Sequence, residues 1–292
     1  MASMRDIKRR KESITSTSQI TKAMKLVSTV KFQKAKDHAE ETKPYFQKMY
    51  ETVSHMLASV GDQCSHPLLR KVEKDGPIKK GVILITSNRG LAGGYNSNIV
   101  KLITKGDFDK EQTVIYPVGT KGLDAMKRLG YHCEGDYSEV INKPMFCDAV
   151  SLGKTVMTAL EQGDIDEVYL AYTVFKNSVT QIPTLMKILP VDPEQAKPEK
   201  EGTKNAEVLM NYEPGEEETL GYIIPLYMNS LIFGAMAEAV ASENGARMQA
   251  MDSATSNAEE MIETLGLQYN SARQAAITQE LTEIVAGASA IS

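Results

Sequence analysis

The sequence predicts an α/β fold in which a long antiparallel coiled coil is formed by the two ends of the chain. Three observations support this fold class. All 11 prolines fall from Pro44 to Pro225 and no glycine precedes Gly61, so both ends lack helix breakers over long stretches. Apolar runs typical of strands alternate with helix-like stretches in the middle. The two ends also carry opposite charge, which favours their pairing.

The N-terminal coiled-coil helix is predicted over residues 1–60. Its composition is rich in Lys, Glu, Gln, Met and Ala, and apolar residues recur three or four positions apart, as at Ile20, Met24 and Val27. A continuous helix of this extent is roughly 85 Å long at about 1.5 Å per residue. Pro44 is the expected position of a bend.

The α/β domain is predicted over residues 77–190. The run at 81–86 is short, apolar and continuous, as in a strand buried on both faces of a parallel sheet, and a glycine-rich turn follows it. Helices and strands then alternate, which indicates βαβ units and a mostly parallel sheet. The further predicted elements are helices at 96–105, 121–129 and 147–161 and strands at 113–118, 168–174 and 179–189.

A polar connecting segment over 191–218 and a C-terminal coiled-coil helix over 219–292 complete the chain. The segment is rich in Pro, Glu, Lys and Gly, a composition typical of solvated stretches. The helix repeats apolar or small residues at intervals of three and four, which is the rhythm of a coiled coil. These residues are Met251, Ala254, Ala258, Met261, Leu265, Tyr269, Ala272, Ala276, Ile277, Leu281, Ile284, Ala288 and Ile291.

Charge is segregated between the two ends, although the whole chain carries a net charge of only −5. Residues 1–36 hold ten Lys or Arg against two acidic residues, and residues 226–292 hold two Arg against eight acidic residues. A basic helix and an acidic helix that lie far apart in sequence pair most simply within one chain. The alternative to a coiled coil is that the two ends form two ordinary amphipathic helices of a globular bundle.

The composition is that of a soluble globular protein, with 42% hydrophobic and 24% charged residues. No aliphatic run approaches the roughly 20 apolar residues that span a bilayer, and no secretory signal is recognisable at the start. The three cysteines form neither a CxxC pair nor an even set, which fits a reducing compartment without metal or disulfide staples. We therefore expect a cytoplasmic protein with no metal site and no direct membrane insertion.

Two stretches approach phosphate-binding motifs without completing them. The turn at 87–96 follows a strand and opens a helix, but its spacing is G-x-x-G-G rather than G-x-G-x-x-G. The triplet Gly153-Lys154-Thr155 has Asp148 where the complete motif requires glycine, and it lies in a helix-like stretch. We expect no catalytic residues and no cofactor. A nucleotide-binding α/β enzyme with helical dimerisation ends is an alternative function.

A basic coiled-coil protein that binds nucleic acid is a second alternative. The basic residues from Arg5 to Lys36 could contact phosphates, but Phe32 is the one aromatic residue among them, so base stacking has little support. The acidic C-terminal helix would also compete with phosphates. A basic surface that recognises acidic protein surfaces is favoured, and nucleic acid is not an expected partner.

Four sequence blocks lie in order across nearly the whole chain: ITKAMKLV at 20–27, TSNRGLAGGYNSN at 86–98, SENGARM at 242–248 and AITQELTEIVAGASAI at 276–291. Together they resemble the gamma subunit of F-type ATP synthases, in its bacterial type, and the last block closely matches the signature of that family. Asn88 stands where the family usually has an aspartate, so we assign that turn no charge-dependent role.

The resemblance implies a central-stalk rotor whose coiled coil lies inside a ring of three alpha and three beta subunits, with a Rossmann-like α/β domain outside the ring. Ion flow through the membrane sector turns a c-ring and the shaft with it, and the asymmetric shaft drives each beta subunit through binding, synthesis and release. The chemistry stays with alpha and beta, so the chain is expected to be non-catalytic. The implied partners are the alpha, beta and epsilon subunits and the c-ring, at the cytoplasmic face of the cell membrane.

The resemblance also implies which residues bind partners. Met24 and Lys25 are expected near an acidic lever segment of a beta subunit, and Tyr212 and Glu213 near the polar loops of the c-ring. An arginine suits contacts between the shaft and surrounding loops because its planar fork can hold a carboxylate at two points. The residues expected at these contacts are Arg247, Arg273, Gln274, Thr278 and Glu280.

Overall fold

A computed structural model describes residues 4–60, 76–177, 180–190 and 216–291. The chain divides into two compact units. The coil unit comprises residues 1–29 and 247–292, and the sheet unit comprises residues 30–246. Two long helices contribute to both units: α1, Met4–Val60, and α5, Glu216–Ile291.

The sheet unit is built on five strands: β1 Lys80–Ile85, β2 Thr113–Val118, β3 His132–Cys133, β4 Glu167–Phe175 and β5 Gln181–Leu189. Their spatial order is β3-β2-β1-β4-β5. The first four strands pair in parallel, and β5 is antiparallel to β4. The expected α/β fold with a mostly parallel sheet is confirmed.

Three further helices connect the strands: α2 Tyr95–Lys105, α3 Thr120–Leu129 and α4 Phe146–Glu161. Helices cover both faces of the sheet, which explains why β1 is apolar along its whole length. Ile83 and Ile85 lie in one core with residues of α1, α4 and α5. Val82 and Leu84 lie in a second core with residues of α2 and α3.

Both long helices stay helical through an internal proline, Pro44 in α1 and Pro225 in α5. Within the sheet unit, Val53 and Met56 of α1 are buried in the first core. Residues 30–60 and 216–246 therefore belong to the sheet unit. The short strand β3 has no counterpart among the predicted elements.

One helix among the described residues, within Gly221–Ser289 of α5, is long and apolar enough to cross a membrane by length and composition. Half of its most apolar stretch is buried inside the structure. A helix in the core of a soluble protein meets the same criteria of length and composition. Ile232 and Met236 of α5 lie in such a core.

Candidate functional site: paired helix ends and a filled crevice

The two helices of the coil unit run antiparallel in a defined register. Thr21 faces Thr255 with 2.8 Å between their hydroxyl oxygens, and a Cβ added at Gly266 would lie 3.4 Å from Lys11 Nζ. Residue numbers thus fall on α5 as they rise on α1. The antiparallel pairing expected from the sequence is confirmed.

The seam between these helices is polar on the α1 side. Ser18, Thr21 and Ser28 are buried, whereas Ile20 and Val27 are each 58% exposed. The Thr21 hydroxyl also contacts Ser18 O at 3.0 Å, and the Thr255 hydroxyl contacts Met251 O at 2.8 Å. The two hydroxyls have only two hydrogens for these three contacts, so the Thr21–Thr255 bond forms when one of the hydroxyls donates to the other instead of to its own helix backbone.

On the α5 side the seam follows the expected three–four rhythm, with one shift of one residue. The expected Ala254 is partly buried beside the buried Thr255, whereas Ile262 is partly buried in place of the expected Met261. Met261 is instead exposed. The other expected seam residues up to position 276 are buried or partly buried, namely Met251, Ala258, Leu265, Tyr269, Ala272 and Ala276.

Beyond residue 276, the expected seam is not formed among the residues that the structure describes. Leu281 is 58% exposed and Ile284 is 68% exposed. The register explains this difference: since Lys11 lies beside Gly266, Met4 at the start of α1 lies opposite about residue 273 at equal rise per residue. The last part of α5 has therefore no α1 residue of the described chain to pack against.

Lys25 contacts this chain's own α5. Its Nζ lies 2.5 Å from Asp252 Oδ1, and the two side chains are 39% and 56% exposed. Met24 is half-buried, and Arg247 is buried at 9% exposure. Lys25 is thus held by a neighbour 227 positions away, which sequence spacing could not reveal.

The remaining expected contact residues at the end of α5 are exposed: Arg273, Gln274, Thr278 and Glu280. The Thr278 hydroxyl donates to Gln274 O of the same helix at 2.9 Å. Their side chains lie on the same stretch as the exposed apolar residues Ile277, Leu281 and Ile284. Tyr212 and Glu213 lie outside the described residues.

In the sheet unit, the glycine-rich turn after β1 uses its polar groups internally. Asn96 Oδ1 accepts from Ser87 N at 2.9 Å. Asn88 Nδ2 donates to Ser138 O at 2.6 Å, and Asn88 Oδ1 accepts from Thr120 N at 2.9 Å. These hydrogen bonds hold the segments that follow β1 and β2 together.

The crevice at the carboxyl ends of β1 and β4 is the place where open α/β sheets of this kind bind ligands, because strand order reverses there. Here α5 occupies it. Ser242 Oγ donates to Thr173 O at 3.1 Å, and Tyr95 OH donates to Ala239 O at 3.2 Å. The carboxylate of Glu238 accepts from Phe175 N.

Glu238 is a buried titratable group in this crevice. Burial raises the pKa of its carboxyl, and Lys43 opposes that rise. Its Oε2 is buried without a hydrogen-bond partner among the described residues. Burial and the proximity of Glu238 raise the pKa of Tyr172 to about 12.

The Gly153-Lys154-Thr155 triplet lies inside α4 and not on a loop. A Cβ at Gly153 would lie 2.0 Å from Asn229 Oδ1 of α5, so glycine allows the two helices to approach closely. Thr155 Oγ1 contacts Ser151 O and Tyr137 OH, both at 3.2 Å. The triplet serves helix packing.

Two shallow grooves of about 450 and about 580 Å³ are open to solvent, one in each unit. The larger is bordered by charged side chains of both signs around the β3 edge. Among the described residues, no group of three or more His, Cys, Asp or Glu side chains is placed to hold a metal ion. The smaller groove is lined by Lys8, Lys11, Glu12, Thr15, Ser16, Gln19 and Tyr269.

Comparison with known proteins covers the full chain. A family model described as ATP synthase matches residues 3–291. The ATP synthase gamma chain of Lachnoclostridium phytofermentans is 61% identical over the whole of both chains. The sodium-ion-specific ATP synthase gamma chain of Acetobacterium woodii is 42% identical over 99% of each chain.

Solved structures agree. A chain of the Tetrahymena thermophila mitochondrial ATP synthase central stalk and c-ring is 25% identical, with a TM-score of 0.59 over 80% of this chain and 99% of that one. A chain of the Euglena gracilis mitochondrial ATP synthase shares the fold, with a TM-score of 0.68 over 99% of this chain and 94% of that one at 20% identity. Sequence and fold together show that the chain belongs to the ATP synthase gamma-chain family.

Proposed function

We propose that this chain is the central-stalk rotor subunit of a bacterial F1Fo ATP synthase, coupling ion-driven rotation of the c-ring to conformational change at the catalytic beta subunits. The observation that carries the proposal is the 61% identity to a gamma chain over the full length of both proteins. The antiparallel helix pair of the coil unit supports it, since an elongated element of this kind suits a shaft.

We infer that the chain has no active site of its own. The filled crevice of the sheet unit supports this inference, because α5 side chains occupy the position of a ligand. Calorimetry of the isolated chain with ATP or NAD is expected to give no binding heat. Measurable heat would favour the alternative of a nucleotide-binding α/β enzyme.

The proposed partners are the alpha and beta subunits around the coil unit, together with the epsilon subunit and the c-ring. The exposed end of α5, where apolar Ile284 lies close to polar Thr278 and Glu280, has the mixed character of a protein-binding surface. The proposed location is peripheral, on the cytoplasmic face of the cell membrane. The division of the chain at 1–60, 77–190, 191–218 and 219–292 stays a prediction.

The partner-binding residues stay a prediction as well. They are Met24, Lys25, Arg247, Arg273, Gln274, Thr278 and Glu280, with Tyr212 and Glu213 in the part of the chain that the structure does not describe. The exposure of Arg273 and Gln274 suits contact with surrounding loops. Lys25 would have to leave or share its partner Asp252 to contact a beta subunit.

Co-expression with matching alpha and beta subunits tests the function directly. The expected result is an assembly whose ATPase activity depends on this chain, and a chain that never joins alpha and beta would contradict the proposal. In that assembly, replacing Arg273 and Gln274 by alanine should impair ATP turnover. The matched control replaces Gln33 and Lys34, an exposed neighbouring pair on α1 that also combines one basic residue with one glutamine.

A further inference from the structure

Strand β4 continues past the end of its neighbour in the sheet. The last pair between β1 and β4 joins Leu84 and Ala171, whereas β4 runs on to Phe175. Beyond that pair, side chains of α5 bind the backbone of β4: Ser242 donates to Thr173 O at 3.1 Å and Glu238 accepts from Phe175 N. Helix α5 therefore takes the place of a strand partner.

A third contact reaches the same stretch of α5 from another element. Tyr95, the first residue of α2, donates its buried hydroxyl to Ala239 O at 3.2 Å. The three contacts fall within residues 238–242, on little more than one helical turn. They connect this turn to both β4 and the helix that follows β1.

The packing around this turn is made mostly by small side chains. Ala235, Ala237, Ala239 and Ala241 are all buried at 4% exposure or less, whereas Met236 is the large buried side chain among them. The alanines allow close approach but supply no large knobs against rotation of the helix about its own axis. Directional hydrogen bonds add to the hold that Met236 gives, because they weaken steeply with angle and are lost when the helix turns.

Helix α1 is held at the same strand end. Its Phe32 ring packs against the Phe175 ring with 5.6 Å between centroids. Gly245 of α5 lies beside this ring, since an added Cβ would be in van der Waals contact with it, 3.4 Å from Phe32 Cε2. The end of β4 is thus one place where both long helices contact the sheet.

We propose that Tyr95, Glu238 and Ser242 form a rotational clamp, which fixes the angle of α5 about its axis against the sheet so that torque moves between the sheet unit and α5 without slip. The inference rests on the proposed rotor function. The three residues are coupling residues, because they touch neither nucleotide nor ion.

The test uses the complete ATP synthase reconstituted in vesicles with a chain carrying Tyr95→Phe, Ser242→Ala and Glu238→Leu. ATP-driven ion pumping and ATP hydrolysis are measured on the same vesicles. The expected result is a loss of most pumping per ATP hydrolysed, with hydrolysis retained. Unchanged pumping per ATP in the assembled variant would overturn the clamp.

Two comparisons separate the clamp from general damage. A chain carrying Glu238→Gln with Tyr95 and Ser242 intact keeps an acceptor for Phe175 N and should keep pumping per ATP. The matched control carries the same chemical changes at exposed sites, Tyr222→Phe, Ser97→Ala and Glu161→Leu. An equal loss in this control would also overturn the clamp.

If the triple variant does not assemble, the double variant Tyr95→Phe and Ser242→Ala carries the same test, since each change removes one oxygen atom. Failure of the rotor function gives a different result from failure of the clamp. In the first case the unaltered chain does not confer ATPase activity on alpha and beta. In the second case ATPase activity is present and the variants pump normally.

Discussion

Asn88 ties three segments of the sheet unit together through one amide group. Its Nδ2 donates to Ser138 O at 2.6 Å, while its Oδ1 accepts from Thr120 N at 2.9 Å and from the Thr120 hydroxyl at 3.1 Å. Donor and acceptor are both used, so an amide fits here and a carboxylate does not. An aspartate, which the family usually has at this position, would therefore need a different set of hydrogen bonds in this turn.

Asn88→Asp is expected to destabilise the full chain by about 1–3 kcal/mol, because a carboxylate oxygen would face the Ser138 carbonyl with no hydrogen between them. Thermal unfolding of the full chain measures the effect. The matched control is Asn142→Asp at an exposed position, which should change little. Equal unfolding temperatures for Asn88→Asp and the unaltered chain would contradict the assignment.

Glu238 should make stability depend on pH. Burial raises its native pKa above the ordinary value of 4.5, so the native state keeps this proton to higher pH than the unfolded state. The contribution of this group to stability is therefore most favourable below 4.5 and declines as pH rises to the native pKa. Lys43 on α1 lessens the decline, and Tyr172 is the neighbouring titratable group on β4.

Glu238→Gln removes this titration while keeping an acceptor for Phe175 N. Its free energy of unfolding relative to the unaltered chain should increase from about pH 4 to about pH 7, because only the unaltered chain must bury a charge. Urea unfolding at several pH values measures the difference. Glu263→Gln, at an exposed position, is the control, and two parallel pH profiles for Glu238→Gln and the unaltered chain would refute the explanation.

At the scale of elements, the α1 sequence predicts the helix but not the face that packs. Periodicity marks the most apolar stripe, and Ile20 and Val27 of that stripe are exposed. The face against α5 is chosen by the partner, since Thr255 offers a hydroxyl to Thr21 and small Ala258 allows close approach. The packing face depends on the register between two segments that are far apart in the sequence. The local residue pattern of α1 does not reveal that register.

The Thr21–Thr255 pair is expected to show coupled energetics. Thr21→Val should cost about 1 kcal/mol, because it removes a hydrogen bond in the buried seam. Thr21→Val with Thr255→Val should cost less than the sum of the two single changes, since an apolar pair replaces both partners. Unfolding of the four chains measures this coupling.

The controls for that cycle are Thr29→Val and Thr264→Val. Both residues are exposed, and each donates to a carbonyl four residues earlier in its own helix, at 2.9 and 3.0 Å. Their effects should be small and additive. Additive effects at Thr21 and Thr255 as well would show that the hydroxyl contact does not couple the helices.

Gly153 and Gly287 both lie inside helices, yet replacement by alanine should change the stability of the chain in opposite directions at the two positions. A Cβ at residue 153 would meet Asn229 Oδ1, whereas a Cβ at residue 287 has nothing within 4 Å. Gly287→Ala should stabilise α5 by about 1 kcal/mol through helix propensity. Gly153→Ala should destabilise the chain by about 1–3 kcal/mol through overpacking.

Asn229→Ala identifies the cause of the Gly153 effect. Removing the amide makes room for the new methyl group, so Gly153→Ala should cost less in the Asn229→Ala background. Thermal unfolding of the full chain is the measurement for all variants. The same cost in both backgrounds would place the strain elsewhere in α4.

At the scale of the whole molecule, the order of elements and the fold class could be predicted because they rest on local signals. Breaker-free ends, the apolar β1 and the alternation of strands and helices are of this kind. The occupied crevice could not be predicted, because Ser242 meets Thr173 across 69 positions and Tyr95 meets Ala239 across 144. The exposed end of α5 likewise depends on where α1 begins opposite it.

Substitutions at the exposed end of α5 should affect assembly with other subunits without affecting folding of the chain. Leu281→Ser with Ile284→Ser changes residues that are exposed in this chain, so the unfolding temperature of the full chain should not fall. Under the proposed rotor function, both side chains become buried by other subunits. Losing that apolar contact should weaken binding to alpha and beta, which titration of the labelled chain into the two subunits measures.

Leu265→Ser is the contrasting variant, because Leu265 is buried within the coil unit itself. It removes apolar contacts from the chain's own helix pair and should lower the unfolding temperature before any partner is added. If Leu281→Ser with Ile284→Ser lowered that temperature as much, the end of α5 would be packed within the chain. If it left binding to alpha and beta unchanged, this end would not be a docking surface, and torque would have to enter the beta subunits elsewhere along the helix pair.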